Sequence, residues 1–222
     1  MPPEPSLDSL RDALLRGAEA LGVPLTDGQC TSLLGYISLM QKWNGVYNLT
    51  SLRRPAEMVT HHLLDSLAVL PPLRRHLAGK PARVLDVGSG GGLPGVVLAI
   101  LEPKLEVTCV DTVGKKAIFV RQVGVELKLP NLFAVHARVE DLRLPPFDVI
   151  TSRAFASLAD FTHLTRHLAG DRSVWMAMKG KRPDDEIAAL DSELSVFHVE
   201  QLAVPGLDAE RCLVWIHKAP AG

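Results

Sequence analysis

Residues 86–95 read DVGSGGGLPG, and this glycine-rich stretch lies between two apolar runs, Arg83–Val87 and Leu93–Leu101. The run before it is typical of a buried strand. Glycine lets the backbone turn tightly, and Pro94 suits the first turn of a helix, where its missing N–H costs nothing. The stretch therefore predicts a strand–loop–helix unit, the building block of a parallel α/β sheet.

Short β-rich runs alternate with helical runs along the chain after Gly79. This alternation predicts parallel strands joined by crossover helices, and hence an open, doubly wound α/β sheet. The expected runs are Arg83–Val87, Leu93–Leu101, Leu105–Val110, Lys115–Leu127, Leu132–His136, Asp148–Ser152, Leu158–Leu168 and Ser173–Met178. Two final β-like runs, Leu194–Ala203 and Arg211–Lys218, are joined through Pro205-Gly206 without a helix, which predicts an antiparallel edge pair.

The first third of the chain has apolar residues at helical spacing. The expected helices run from Leu7 to Leu21, from the capping pair Thr26-Asp27 to about Trp43, and from Pro55 to an abrupt end at Pro71-Pro72. We therefore expect a helical cap over residues 1–79 and an α/β domain over residues 80–222.

Composition places the chain among ordinary globular proteins, with 47% hydrophobic and 22% charged residues and a net charge of −1. No apolar stretch reaches the ~18 residues of a membrane span, and the N-terminus MPPEPSLDSL lacks the features of a signal peptide. Cys30, Cys109 and Cys212 lie far apart, which favours a reducing compartment over disulfides or a structural zinc. We expect a cytoplasmic protein that does not associate with membranes. The charge neither supports nor excludes a nucleic-acid partner.

The glycine loop is the expected ligand site, because open α/β sheets bind ligands beyond the carboxyl ends of their strands. Glycines such as Gly88 allow a ligand to approach the backbone closely, and the following helix presents free N–H groups. Gly90, Gly92 and Gly95 satisfy the G-x-G-x-x-G pattern, so a nicotinamide dinucleotide is one candidate ligand.

Two acidic residues bear on the identity of the ligand. Asp86 stands just before the first glycine, where it can accept a hydrogen bond from a cationic amino group and would repel a pyrophosphate. Asp111 ends the second strand, where a carboxylate binds ribose hydroxyls, a feature that both cofactors share. The pattern favours S-adenosylmethionine and leaves the dinucleotide as the alternative.

Later strand ends extend the expected site. Val139 and Glu140 follow the third strand, where a carboxylate or carbonyl can accept from an adenine amino group. Arg153 ends the fourth strand, and it contacts cofactor or substrate in one interpretation and forms a surface salt bridge in the other.

Several motifs in a fixed order then identify a family. They are Tyr47–Thr50 (YNLT), His62–Leu67 (HLLDSL), the DVGSGGGLPG loop, Gly114–Lys116 (GKK), Arg121-Gln122, SRAFA at 152–156 and Met178–Gly180 (MKG). Over residues 43–180 the chain resembles the bacterial 16S ribosomal RNA guanine-N7 methyltransferases, also called glucose-inhibited division protein B. Two positions depart from that family: His61 replaces the usual arginine, and Thr112 replaces the usual serine. The first change weakens any expectation that position 61 clamps a phosphate.

The resemblance implies a mostly parallel, seven-stranded, Rossmann-like methyltransferase sheet with an antiparallel C-terminal strand and an N-terminal helical extension. It also implies a guanine of 16S rRNA as substrate, presented on a small-subunit ribosomal particle. Together with the loop, it predicts a donor site formed by Asp86, Gly88, Gly90, Leu93, Asp111, Val139, Glu140 and Arg153. A small-molecule acceptor is the alternative, since a donor loop does not specify the acceptor.

Guanine N7 carries a lone pair and no proton, so transfer needs positioning rather than a general base. Our hypothesis is that Arg153 and Lys179 orient the guanine or neighbouring phosphates. Lys115, Lys116 and Arg121 either grip the RNA backbone or form a solvated helix face.

The remaining polar and aromatic candidates are expected to be structural. His61, His62 and Asp65 are too few for a metal site, and we expect His62 and Asp65 to brace the cap against the sheet. Trp43 and Tyr47 are expected in the core or at the domain interface. We expect a monomer without a metal.

Overall fold

Within the described part of the chain, the sheet has seven strands in the order β3-β2-β1-β4-β5-β7-β6. In the computed structural model, which describes residues 6–153, 155 and 157–219, the strands are β1 (Ala82–Val87), β2 (Leu105–Asp111), β3 (Leu132–His136), β4 (Phe147–Ser152), β5 (Ala169–Lys179), β6 (Leu194–Gln201) and β7 (Cys212–Lys218). Strands β1 to β5 are mutually parallel, and β7 runs antiparallel to both β5 and β6. The expected α/β sheet and its antiparallel C-terminal strand are confirmed. Residues 1–5 and the two alanines of SRAFA, Ala154 and Ala156, lie outside the described residues.

The strand order reverses at β1, which pairs with β2 on one side and β4 on the other. Because these strands are parallel, Val87, Asp111 and Ser152 end at the same edge of the sheet. A crevice opens where neighbouring crossover connections leave a sheet on opposite faces. The order therefore places the glycine loop at the reversal point.

Helices in the described α/β part connect or flank these strands. They are α6 (Gly95–Leu101), α7 (Gly114–Glu126), α8 (Leu158–Thr165) and α9 (Asp184–Ala188), with short 3₁₀ turns at Val139–Asp141 and Arg166–Leu168. The sequence analysis did not predict α9, because its five residues are too short to show an apolar period.

The N-terminal part is helical, as expected, but its third segment is broken. Its elements are α1 (Leu7–Ala20), α2 (Asp27–Tyr47), α3 (Pro55–Met58), a π-helical segment (Val59–Leu64), α4 (Asp65–Leu67) and α5 (Leu70–Leu77). The prediction that Pro71-Pro72 ends a helix was wrong. Both prolines lie in the first turn of α5, where the missing N–H groups have no intrahelical partner to lose.

One hydrophobic core joins the N-terminal helices to the sheet. It includes Leu14 and Ile37 from the cap together with Val84 and Val96 from the α/β part, while a second core covers the opposite face of the sheet. The buried hydroxyl of Tyr36 on α2 donates to the Gly91 carbonyl at 2.7 Å. The N-terminal helices thus touch the glycine loop directly, and the division near residue 80 stays a prediction.

Among the helices described here, none is both long and apolar enough to cross a membrane.

Candidate active site

The glycine loop is held close to the sheet by its last glycine. A Cβ at Gly95 would lie 2.5 Å from Cys109 Sγ and 2.9 Å from Asp86 Oδ2, so only glycine lets α6 start against β1 and β2. Gly92 has φ +95°, a backbone conformation that residues with a Cβ atom rarely adopt. The third glycine of the pattern therefore serves helix–strand packing.

Asp86 supports this packing from inside the protein. Its side chain is fully buried, and its Oδ2 accepts the Gly95 N–H at 2.8 Å. Its Oδ1 has no hydrogen-bond partner among the described residues. Burial raises the pKa of Asp86 to about 7, although the Gly95 hydrogen bond acts in the opposite direction.

Asp111 fastens the loop from the neighbouring strand. Its Oδ2 accepts the Gly90 N–H at 2.9 Å, and its Oδ1 accepts the Val113 N–H at 2.8 Å. Lys116 Nζ lies 3.9 Å from the same Oδ2. The carboxylate thus fixes the loop and the entry to α7 while it remains on a pocket wall.

A first pocket, which we call the strand-end pocket, has an empty volume of about 540 Å³. It is lined by Val87, Gly88, Val110, Asp111, Thr112, Ala137, Arg138, Val139, Glu140, Phe155 and Leu164. The structure therefore brings together four predicted donor residues: Gly88, Asp111, Val139 and Glu140. Apolar walls with carboxylates beside them suit a purine nucleoside.

A second pocket, the loop pocket, shares Gly88 with the strand-end pocket. It is lined by Met40, Leu49, Thr50, His62, Gly88, Ser89, Gly90, Gly91, Leu93, Lys116 and Arg153. It gathers Gly90, Leu93 and Arg153 from the predicted donor set. Asp86 lines neither pocket, because its carboxylate faces the start of α6.

A third pocket, the basic pocket, has an empty volume of about 800 Å³. It is lined by Thr50, Ser51, Leu52, His61, His62, Asp65, Arg153, Met178, Lys179, Gly180 and Arg211. Arg153, Thr50 and His62 line both this pocket and the loop pocket. The basic pocket is therefore next to the space on the glycine loop.

The two predicted orienting residues both line the basic pocket and both are ion-paired. Arg153 Nη1 donates to Asp65 Oδ2 and to the His61 carbonyl, each at 3.2 Å. Lys179 Nζ lies 2.8 Å from Glu186 Oε2 and 3.3 Å from the Phe155 carbonyl oxygen. Arg153 thus forms a salt bridge and lines two pockets, while its contact with cofactor or substrate stays a prediction.

Asp65 braces the N-terminal part against the sheet, as expected. Its buried carboxylate also accepts from Arg211 Nε at 2.8 Å. The equivalent expectation for His62 stays a prediction. The hydrogen bond of its ring goes to Thr50, at 3.0 Å from Nε2 to Oγ1, within the N-terminal part, and the residue also borders the loop pocket.

His62 is neutral at neutral pH. Burial lowers its pKa to about 4, and the nearby charge of Arg153 adds to that effect. Thr50 Oγ1 lies 3.0 Å from His62 Nε2 and also accepts the Leu52 N–H at 3.2 Å. The other ring nitrogen, Nδ1, is buried and lacks a hydrogen bond within the described residues.

The predicted RNA-contacting residues of α7 are not gathered together. Lys115 is exposed at the start of the helix, while Lys116 turns toward the loop pocket. Arg121 lies on the outer side, where its Nε donates to the Ala134 carbonyl at 3.0 Å. Of the three, only Lys116 belongs to the site.

Trp43 and Tyr47, both expected in the core or at the domain interface, differ in their exposure. The Trp43 ring lies 5.6 Å from Phe119 of α7, at the boundary between cap and sheet. The Tyr47 ring packs on Trp43 at 5.2 Å and is 41% exposed. Within the described ranges, no group of three or more His, Cys, Asp or Glu side chains could hold a metal ion.

Sequence reasoning missed Arg211 as a site residue. It immediately precedes β7, and because β7 is antiparallel, the start of that strand lies at the edge where the parallel strands end. No sequence motif surrounds Arg211, so its place at the site could be inferred only from the antiparallel direction of β7.

Residues 29–214 match the family model described as rRNA small subunit methyltransferase G. The chain belongs to this family. It is 62% identical over 206 residues to the ribosomal RNA small subunit methyltransferase G of Leptothrix cholodnii, covering 93% of this chain and 94% of that protein.

Two solved structures show the same fold at low identity. One is coclaurine N-methyltransferase bound to N-methylheliamine and SAH, with a TM-score of 0.57, 10% identity and 96% of each chain covered. The other is the Burkholderia thailandensis 1,6-didemethyltoxoflavin-N1-methyltransferase with bound S-adenosylhomocysteine, with a TM-score of 0.55 and 15% identity over 88% of this chain and 92% of that one. The rRNA small subunit methyltransferase G family member described here thus has a Rossmann-like methyltransferase fold, which confirms the fold expected from its resemblance.

Proposed function

We propose that this protein transfers a methyl group from S-adenosylmethionine to N7 of one guanine in 16S rRNA. The observation that carries the proposal is the position of Arg153, whose side chain lines both the loop pocket and the basic pocket. A donor in the first space would therefore adjoin an acceptor in the second. The name of the 62% identical relative supports rRNA as that acceptor.

The donor site we propose spans the strand-end and loop pockets, which meet at Gly88. Val139 and the other apolar walls suit the adenine, while Asp111 and Glu140 supply acceptors for ribose hydroxyls and the adenine amino group. When bound, S-adenosylmethionine supplies an electrophilic methyl group on a positively charged sulfur. A neighbour of the same fold binds S-adenosylhomocysteine, which supports this choice over a nicotinamide dinucleotide.

We propose that Asp86 also belongs to the donor site. Because Asp86 lines neither pocket, it would act through water: its Oδ1, which has no partner among the described residues, is an acceptor for a water held by the donor's cationic amino group, while Oδ2 stays bonded to Gly95. A cation nearby favours the ionised carboxylate, so donor binding would lower a pKa that burial holds near 7.

The residues of the basic pocket position the acceptor. N7 attacks with its own lone pair, so no side chain needs to remove a proton. Arg153 and Lys179 orient the guanine or its phosphates, and Lys116, with Lys115 and Arg121 farther out on α7, meets the RNA backbone. His62, which borders both pockets, is neutral and adds no charge beside the sulfonium.

Comparison of 7-methylguanine in 16S rRNA from cells with and without the gene tests the acceptor. We expect one modified guanine to be lost on deletion; an unchanged pattern contradicts the acceptor assignment and points to another RNA or to a small molecule. Titration of the purified protein with S-adenosylhomocysteine and, separately, with NAD⁺ tests the donor. Tight binding of NAD⁺ alone would contradict the donor assignment.

We further propose that the protein works in the cytoplasm as a monomer and meets its RNA within a small-subunit ribosomal particle. Methylation assays on naked 16S rRNA and on small subunits test whether the particle is the substrate. Sedimentation of the free protein tests whether it is a monomer. Faster transfer to naked RNA, or a sedimenting dimer, would contradict these proposals.

A further inference from the structure

A buried carboxylate joins three segments that are far apart in the chain. Asp65, in α4, is 1% exposed. Its Oδ2 lies 3.2 Å from Arg153 Nη1, after β4, and its Oδ1 lies 2.8 Å from Arg211 Nε, before β7. Each oxygen thus holds one guanidinium, and both guanidinium groups are left on the wall of the basic pocket.

The two arginines remain partly accessible despite these bonds. The side chains are 29% exposed at Arg153 and 25% exposed at Arg211. A guanidinium carries five N–H donors in a planar fork. Among the described residues, Arg153 uses only Nη1, and Arg211 uses Nε and Nη1, so donors remain on both.

The charges in and beside the pocket do not cancel. Three cations, Arg153, Arg211 and Lys179, face two carboxylates, Asp65 and Glu186, which leaves one net positive charge with histidines counted as neutral. A phosphodiester carries one negative charge. The pocket is therefore matched in charge to one phosphate of a nucleic-acid backbone.

We propose that Arg153 and Arg211, each bonded to one oxygen of Asp65, form a binding site for the phosphodiester of the nucleotide to be methylated. In this site Arg211 is a substrate-binding residue and Asp65 is a positioning residue. The inference deepens the proposed function, since it assumes that RNA enters the basic pocket.

Phosphate is a better partner for this pair than the guanine ring. N7 acquires a methyl group and the ring a positive charge as transfer proceeds, so two guanidinium groups against the ring would oppose the reaction. A phosphate keeps its negative charge throughout and matches the guanidinium fork. Fixing it would orient the attached nucleotide toward the loop pocket.

Replacement of Arg211 tests the site through the salt dependence of RNA binding. We expect Arg211→Gln to raise the Kd of the S-adenosylhomocysteine-loaded protein for unmethylated small ribosomal subunits about tenfold, as for one lost charged hydrogen bond. The slope of log K against log salt concentration should fall in magnitude by about 0.7–0.9, the value for one phosphate contact. Arg211→Lys should restore the slope but only part of the affinity, because it keeps the charge and loses the fork.

Arg166→Gln is the matched control. Arg166 is also ion-paired, to Asp191 and Glu193, but it opens the 3₁₀ turn that precedes β5, at the opposite edge of the sheet. The Arg166→Gln variant should keep the wild-type affinity for RNA and the wild-type salt slope. A purely structural role for Arg211 would lower the melting temperature and S-adenosylhomocysteine binding without a specific change in slope.

Asp65→Asn tests the positioning role, because it removes the anchor and adds one net positive charge. We expect an undiminished salt slope with a kcat lowered about tenfold at saturating RNA and donor. If this variant does not fold, the Arg211 variants decide the matter alone.

Wild-type affinity and slope in Arg211→Gln would overturn the inference. A wild-type protein that binds small ribosomal subunits with the expected salt dependence but transfers no methyl group to their 16S rRNA would contradict only the proposed function.

Discussion

Asp111 Oδ2 accepts the backbone N–H of Gly90 at 2.9 Å, and this bond ties the end of β2 to the glycine loop that follows β1. The same carboxylate uses its other oxygen for Val113, at the entry to α7. One side chain thus sets the mutual position of two loops before any ligand arrives. Asp111 also lines the strand-end pocket.

We therefore expect Asp111→Ala to weaken both the fold and the proposed donor site. Two backbone N–H groups lose their partner, which should lower the free energy of unfolding by about 1–3 kcal/mol. Binding of S-adenosylhomocysteine should weaken at least tenfold, measured by calorimetric titration. Asp171→Ala, at an exposed aspartate near the start of β5, is the control and should change neither quantity. Undiminished binding in Asp111→Ala would remove this carboxylate from the donor site.

Gly95→Ala should be strongly destabilising, since the new methyl group would lie 2.5 Å from Cys109 Sγ. Overpacking of this kind costs about 1–3 kcal/mol or more. Gly45→Ala in α2 is the matched control, because its methyl group would meet no described heavy atom within 4 Å. It should stabilise the protein by about 0.5–1 kcal/mol. Urea unfolding of both variants measures the contrast, and equal effects would contradict the tight packing of α6.

Asp86→Asn should change how stability depends on pH. The folded-state pKa of Asp86 is about 7 against an ordinary value of 3.8, so between these values the folded protein holds a proton that the unfolded chain has lost. Wild-type stability therefore falls as pH rises through this window, by up to about 4 kcal/mol from this group. The variant lacks this loss, and its stability relative to wild type should increase from pH 5 to pH 8. A difference that stays constant with pH would mean that Asp86 is already ionised.

His62→Gln should show a pH dependence of the opposite sign. The pKa of His62 is lowered from 6.5 to about 4, so below pH 6.5 the unfolded chain takes up a proton that the folded protein does not. Wild-type stability is complete above that pH and declines by up to about 3 kcal/mol toward pH 4. Gln cannot titrate, so any deficit of the variant at pH 7 should shrink at pH 4.5. Melting curves at both values measure it, and a deficit that grows on acidification would contradict the neutral ring.

The parallel sheet could be predicted because its strands are short apolar runs separated by turn residues and amphipathic helices. Leu132–His136 was predicted with the observed bounds, and the other sheet strands were placed with shifts confined to their ends. The antiparallel pair followed from the absence of a helix around Pro205-Gly206. The donor residues Asp111 and Val139 could be placed because parallel strands end at one edge.

Long-range side-chain pairing could not be predicted. Asp65 and Arg211 are 146 positions apart, and nothing in either local sequence indicates the other. The direction of the Asp86 carboxylate depends on the hydrogen bond to Gly95, which only the folded loop creates. The Pro71-Pro72 pair is compatible with both the end of one helix and the start of the next, and the turn at Ala68-Val69 decides between them.

Arg153 and Lys179 can be separated by kinetics at saturating donor. Arg153 touches both the loop pocket and the basic pocket, whereas Lys179 lines the basic pocket alone. We therefore expect Arg153→Ala to lower kcat by at least tenfold and Lys179→Ala to act mainly on the KM for RNA. Arg153→Ala also strips buried Asp65 of one partner, so its melting temperature should fall while Arg211 still holds the other oxygen. Arg153→Lys keeps the charge without the fork, and partial recovery of kcat would separate charge from geometry. Unchanged turnover in Arg153→Ala would show that the acceptor does not pass between the two pockets beside this side chain.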